Sequence, residues 1–204
     1  MQATFPILPQ QHVTGLILAG GQAKRLGGQD KGLIQIANQS LVEHVMTRLK
    51  PQTAGILINA NRNQPAYEQL GCPVIADGLP DFAGPLAGML AGLQNMATEW
   101  LLTVPCDNPL LPDTFVKSMT DTANAQQCLL TLASCQGRLQ PVYCLLHRSL
   151  QTSLSDFLAQ GQHKVRDWIG QQAHCLAEFD DPQAFENINT PQQLAEAELN
   201  HAAN

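Results

Sequence analysis

A chain of 204 residues can form one domain with a substantial core, and an apolar content of 44% is ordinary for a globular protein and excludes a disordered one. The formal net charge of −6 argues against a general nucleic-acid binder, whose footprint is basic. No apolar run approaches the roughly 20 residues of a membrane helix, and the first dozen residues, with two prolines and no lysine or arginine, read as a cytoplasmic tail rather than a signal peptide.

The first predicted element is a buried strand over Val13–Leu18, short, uncharged and closed by glycine. It runs into a loop that carries Gly20, Gly21, Lys24, Arg25, Gly27, Gly28, Asp30, Lys31 and Gly32. Glycines let a ligand approach the backbone, and bare N–H groups beside lysine and arginine suit the oxygens of a polyphosphate. Three of the eleven basic residues fall within positions 24–31, so anion binding here is local focusing against an acidic background. The spacing matches neither G-x-x-x-x-G-K-[ST] nor G-x-G-x-x-G.

A short extended piece over 33–36 follows. Ser40 and Glu43 form a capping box for a helix with Leu41, Val42, Val45, Met46 and Leu49 on one face, ended by Pro51. The strand over 55–58 leads into Asn59 and Asn61, whose amides suit either the edge of a nucleobase or an Asn-rich turn. A weak helix at 65–70 and a strand at 73–76 precede Asp77. Gly84-Pro85-Leu86-Ala87-Gly88 opens a helix whose buried stripe is Leu86, Met89, Leu90, Leu93 and Met96, and whose N-terminal N–H groups suit ligand oxygens.

The apolar strand over 100–104 breaks at Pro105-Cys106-Asp107-Asn108-Pro109. In an open parallel sheet, ligands bind outside the carboxyl ends of strands. A carboxylate emerging there suits Mg²⁺ on phosphate oxygens, although an aspartate after a strand is equally a turn or a helix cap. Asp113 is read as such a cap, for a helix over 114–122.

The alternation of strand and helix to this point predicts a parallel α/β sheet. Beyond Gln126 the segments 129–133 and 140–146, flanking Gln136-Gly137-Arg138, predict antiparallel strands. A helix over 150–160, a small basic loop at 161–166 and a strand over 173–179 follow. Asn187 and Asn189, two apart, face the same way in extended backbone, so one of them is expected opposite Asp107. Thr190, Pro191 and Gln193 open a final helix. None of the six cysteines forms a C-x-x-C pair, and most lie in apolar segments as small hydrophobes.

LAGGQAKRLGGQDKG (18–32) resembles the signature of the nucleotidyltransferases, most closely the molybdenum cofactor guanylyltransferases. The resemblance continues through INANRN (58–63), VIADGLPDFAGPLAG (74–88), TVPCDNPLLP (103–112) and NINTP (187–191). It implies a three-layer α/β fold: a mainly parallel sheet with helices on both faces, Rossmann-like, and an antiparallel portion in the C-terminal half. After a tail over 1–12 it implies one domain, with a nucleotide-binding half over 13–112 and an acceptor-binding half over 113–204. The implied reaction moves GMP from GTP to the phosphate of molybdopterin, with Mg²⁺ as cofactor and pyrophosphate released.

Arg25, Lys31 and Asp107 are the residues the resemblance assigns to catalysis, with Asp107 as the metal ligand. Nucleotide binding falls to Leu18, Ala19, Gly20, Gly21, Lys31, Asn59, Asp77, Gly84, Gly88 and Asp107. Arg25, His163, Lys164, Asn187 and Asn189 would meet the acceptor. His163-Lys164 departs from the arginine-rich family pattern, and a lysine holds phosphate as a point charge rather than a planar fork. The implied partners are GTP, molybdopterin and the molybdoenzymes or chaperones that receive the product, and the implied state is a cytoplasmic monomer. The competing readings are CTP as donor to molybdopterin, a nucleotide with a sugar 1-phosphate, and a non-catalytic GTP-binding module.

Overall fold

A computed structural model describes residues 12–19, 30–78, 84–190 and 192–195. Seven strands form its main sheet: β1 (Val13–Leu18), β4 (Gly55–Asn59), β5 (Val74–Ile75), β6 (Trp100–Pro105), β7 (Leu130–Cys135), β8 (Arg138–His147) and β9 (Cys175–Phe179). A separate two-residue pair, β2 (Gln35–Ile36) and β3 (Gln39–Ser40), is antiparallel. The order across the main sheet is β5-β4-β1-β6-β8-β7-β9. All neighbours run parallel except where β8 lies against β6 and β7, so β8 is the one reversed strand of this sheet. The turn at Gln136-Gly137, both at positive φ, makes that reversal, as the sequence predicts.

Side chains alternate across each strand and build two cores. Val13 and Ile17 face α1 (Leu41–Leu49), α2 (Gln64–Glu68) and α4 (Phe115–Gln126), while Leu16 and Leu101 face α3 (Pro85–Asn95), α5 (Gln151–Ala159) and α6 (Val165–Ile169). The result is helix, sheet, helix in three layers. No helix among the described residues is long and apolar enough to cross a membrane.

Local signals account for most helix starts. The Ser40–Glu43 capping box forms, with the Ser40 N–H donating to Glu43 Oε2 at 2.7 Å. The expected cap at Asp113 is corrected: α4 begins at Phe115 behind Thr114, and the Val116 N–H donates to Gln52 Oε1 at 3.0 Å. A side chain from a distant turn has taken over the cap, and Asp113 accepts from Arg48 on the surface instead.

The topology determines where a ligand fits. From β1 the chain moves outward to β4 and β5, then returns to place β6 on the other side of β1. The strand order therefore reverses between β1 and β6, and the crevice of an open α/β sheet lies outside the carboxyl ends at such a point. In register, Leu18 sits opposite both Asn59 and Pro105, so the residues that follow all three strands leave the sheet side by side.

Candidate active site

Lys31 begins a 3₁₀ turn, Lys31–Leu33, whose position is set by α2. The Tyr67 phenol donates to Asp30 Oδ1 at 2.5 Å, and Asn63 Nδ2 donates to Asp30 Oδ2 at 3.1 Å. Gly32 lies so close to Tyr67 that a Cβ there would stand 2.5 Å from the phenol oxygen. With its neighbours pinned, Lys31 points inward, and its ammonium donates to both Asp107 Oδ2 and Asn189 Oδ1. The lysine and aspartate, 76 residues apart in sequence, form an ion pair with side chains only 13% and 10% exposed.

Asp107 emerges just beyond β6. Its second carboxylate oxygen, Oδ1, is buried and has no hydrogen-bond partner. A buried carboxylate oxygen left unpaired is costly unless something else occupies it. It is the one such side-chain atom among the described residues. Its neighbour Cys106 is fully buried, and burial pushes that thiol far above its ordinary range, so it offers no thiolate nucleophile.

A second carboxylate closes the far side. Asp77 follows β5, and its two oxygens accept from Asn59 Nδ2 and Asn61 Nδ2, each at 2.7 Å. The Asp77 N–H in turn donates to Asn61 Oδ1 at 2.8 Å. The two amides thus grip Asp77, and Asn59 itself is buried. The start of α3 packs on this cluster at Gly88, where a Cβ would stand 2.3 Å from Asn59 Oδ1 and 2.6 Å from Leu18 Cδ2.

Neither neighbour of Gly88 can retreat freely, because Asn59 is tied to Asp77 and Leu18 is held in β1. Gly88→Ala is therefore expected to cost about 1–3 kcal/mol by overpacking and to weaken nucleotide binding. Thermal melting and calorimetric titration with GTP check both, with Gly55→Ala as the silent control, since a Cβ at Gly55 meets nothing within 4 Å.

The remaining expected residues divide as follows. Leu18 and Ala19 line the end of β1, and Ala19 N–H donates to the Asn59 carbonyl at 2.8 Å. Gly84 lies at the start of α3, 3.9 Å (from a Cβ built on it) from the His163 carbonyl, which brings the loop of His163 and Lys164 to this end of the molecule. Both of those residues are exposed. Asn187 and Asn189 do not share a direction: Asn189 meets Lys31, whereas Asn187 turns inward to accept from the Tyr143 hydroxyl at 3.2 Å. Arg25, Gly20 and Gly21 lie outside the described residues. Tyr143, Asn108 and Tyr67 support the site without having been singled out for it by sequence, whereas Asn61 carried a signal as the second amide after a strand.

The family model for the MobA-like NTP transferase domain matches residues 15–175. The molybdenum cofactor guanylyltransferase of Cupriavidus taiwanensis is 47% identical over 195 residues, covering 92% of this chain and 97% of that protein. The chain belongs to the MobA-like NTP transferases, on the molybdenum cofactor guanylyltransferase branch. Within that branch, the enzyme of Bordetella pertussis is 43% identical over 192 residues, covering 92% of this chain and 98% of that one.

Among solved structures, molybdopterin-guanine dinucleotide biosynthesis protein A from Archaeoglobus fulgidus superposes with a TM-score of 0.75 at 20% identity, covering 94% of this chain and all of that one. The 2-C-methyl-D-erythritol 4-phosphate cytidylyltransferase of Thermus thermophilus gives 0.68 at 15% identity, covering 92% and 98%. At such identities these two establish the shared nucleotidyltransferase fold. In this MobA-like chain, the Lys31–Asp107 pair lies at the switch point of that fold.

Proposed function

We propose that this chain transfers the guanylyl group of GTP to the terminal phosphate of molybdopterin. The observation that carries the reading is the meeting of Lys31, Asn189 and the half-satisfied Asp107 carboxylate at the β1–β6 switch point, in a chain nearly half identical to named guanylyltransferases. A phosphate oxygen of molybdopterin attacks the α-phosphorus. A new P–O bond forms as the bond to the β-phosphate breaks, and pyrophosphate leaves with the electron pair. The attacking phosphate is largely ionised at neutral pH, so no strong general base is required, and the protein's contribution is positioning and charge neutralisation.

Lys31 supplies positive charge to the triphosphate. Asn189 holds the ammonium in place, and the ammonium exchanges part of its contact with Asp107 for phosphate oxygen when nucleotide enters. The unpartnered Asp107 Oδ1 fits a hard divalent cation. Asp107 would hold Mg²⁺ there, and the ion would supply charge neutralisation to the triphosphate.

Asp77 is the base-reading candidate. A carboxylate only accepts hydrogen bonds, and guanine offers two donors on one edge where cytosine and adenine present a ring-nitrogen acceptor beside their amino group. Asn59 and Asn61 fix its plane. His163 and Lys164, brought near Gly84, are candidates for the acceptor phosphate.

The test is competition: the protein, molybdopterin and Mg²⁺ with GTP, CTP and ATP together, the dinucleotide products being separated chromatographically. Guanine dinucleotide is expected in at least a hundredfold excess, and equal products from CTP would overturn the guanylyl reading. Binding of GTP without pyrophosphate release would favour a non-catalytic module.

A further inference from the structure

The geometry points to Tyr143 as a positioning residue: its hydroxyl ties the Asp107 loop to the segment that carries Asn189, and so sets Asn189 against Lys31. This inference rests on the transfer reading above. Tyr143 lies on β8, the reversed strand, buried at 3% exposure and out of reach of the cleft.

Its hydroxyl is one member of a closed circuit. Asn108, next to Asp107, donates from Nδ2 to the Tyr143 oxygen at 2.8 Å and to the Ala184 carbonyl at 2.5 Å. The phenol donates onward to Asn187 Oδ1 at 3.2 Å. The Asn187 carbonyl accepts from Asn189 Nδ2 at 3.1 Å, and Asn189 Oδ1 accepts from Lys31, which pairs with Asp107. A second tie runs directly, from the Ile188 N–H to the Asp107 carbonyl at 3.0 Å. Ile188 anchors the segment from below, buried with Ile34, Ile36 and Leu41 just beyond the Lys31 turn.

The hydroxyl is placed to transmit direction. The amide oxygen of Asn108, Oδ1, accepts from the Leu110 N–H at 3.1 Å, so the amide cannot flip without losing that bond. That choice makes the phenol oxygen an acceptor from Asn108 and leaves its single proton for Asn187. Burial pushes the Tyr143 phenol far up from its ordinary value, so the proton stays on the oxygen at any pH the enzyme meets. The Asn187 side chain is thereby anchored, while its carbonyl, in one plane with the Ile188 N–H that donates to Asp107, is set toward Asn189, whose amide turns its oxygen toward Lys31. Without the hydroxyl, the Ile188 N–H still holds the segment to Asp107, but the Asn187 side chain loses its anchor in the fold, and the backbone that carries Asn189 is held at fewer points.

Tyr143→Phe tests this. The ring keeps its edge contacts with Phe115 at 5.9 Å and Phe185 at 5.0 Å, Asn108 keeps Ala184, and half-buried Asn187 takes water, so the variant folds. Guanylyl transfer is expected to lose about tenfold in kcat with KM for GTP within about twofold. In an Asn189→Ala background the same substitution is expected to add nothing. Amide exchange of peptides over 186–190 should quicken about fivefold while those of β1 and β6 stay unchanged. A variant with wild-type kcat, or losses that multiply in full with Asn189→Ala, would overturn the role. If the wild-type protein makes no dinucleotide, the transfer reading fails, and unchanged exchange over 186–190 still decides against the positioning role.

Discussion

Asp107→Ala is expected to lower guanylyl transfer by about 10³-fold, in the range seen when a preorganised charge-stabilising group is removed, while GTP affinity changes by less than about tenfold. The asymmetry follows from the two oxygens of this carboxylate. Oδ2 pairs with Lys31, and removing it frees the lysine to meet the triphosphate alone, which partly offsets the loss of the metal contact proposed for Oδ1. Oδ1, buried and unpartnered, is the group with no substitute. Asp107→Asn sharpens the comparison, since it keeps an oxygen for Lys31 and the shape of the side chain but removes the charge. The asparagine variant is expected to melt below wild type, because the Lys31 ammonium keeps an oxygen but loses its counter-charge, and to lose nearly as much turnover as the alanine variant. Pyrophosphate release gives kcat, titration calorimetry gives GTP affinity, and an alanine variant that turns over normally with Mg²⁺ would remove Asp107 from the mechanism.

The parts of the molecule that were legible beforehand are those set by neighbours in the chain. Ser40 and Glu43 carry the start of α1 between them, and the predicted helix agrees with Leu41–Leu49. The alternation to β6 and the reversal around Gly137 were equally local, encoded by apolar runs and turn residues. Asp113 shows the opposite case: its pattern is a proper cap, yet Gln52, 64 residues from Val116, reaches the helix first. No local rule reports such a competitor.

The site divides in the same way. Residue type and position marked Lys31 and offered Asp107, a carboxylate after a strand that is equally a turn or a helix cap, whereas Asp77 came only with the family resemblance. The choice between Asn187 and Asn189 was not legible, since it depends on the partners each side chain finds, Lys31 for Asn189 and Tyr143 for Asn187, and Tyr143 in sequence is an ordinary aromatic of an alternating strand. Asn59 and Asn61 suit either the edge of a nucleobase or an Asn-rich turn, and in the structure both amides hold Asp77. Their chemistry was visible, but their partner, 16 residues beyond Asn61, was not.

Lys31→Met is expected to weaken GTP roughly 10- to 150-fold, the equivalent of the about 1.5–3 kcal/mol that a hydrogen bond to a charged group contributes, and to destabilise the fold as well. The two losses have separate origins, and a second substitution separates them. Methionine fills the space of the lysine stem but leaves Asp107 ionised and largely buried without its partner. Breaking one side of a buried pair costs about 3–5 kcal/mol in well-enclosed cases, and the lower edge applies here because both side chains keep some exposure. Adding Asp107→Asn removes the stranded charge, so Lys31→Met/Asp107→Asn is expected to recover most of the melting temperature while recovering neither GTP affinity nor turnover. Lys31→Arg restores the charge but not the fit, since a planar fork must enter a slot bounded by Asp107 and Asn189 and shaped around a compact ammonium. It is expected to bind GTP more tightly than the methionine variant and to turn over far below wild type. Calorimetric titration with GTP and thermal melting on all three variants decide the matter: GTP affinity in Lys31→Met equal to wild type would mean that this lysine serves only to neutralise Asp107 in the empty site.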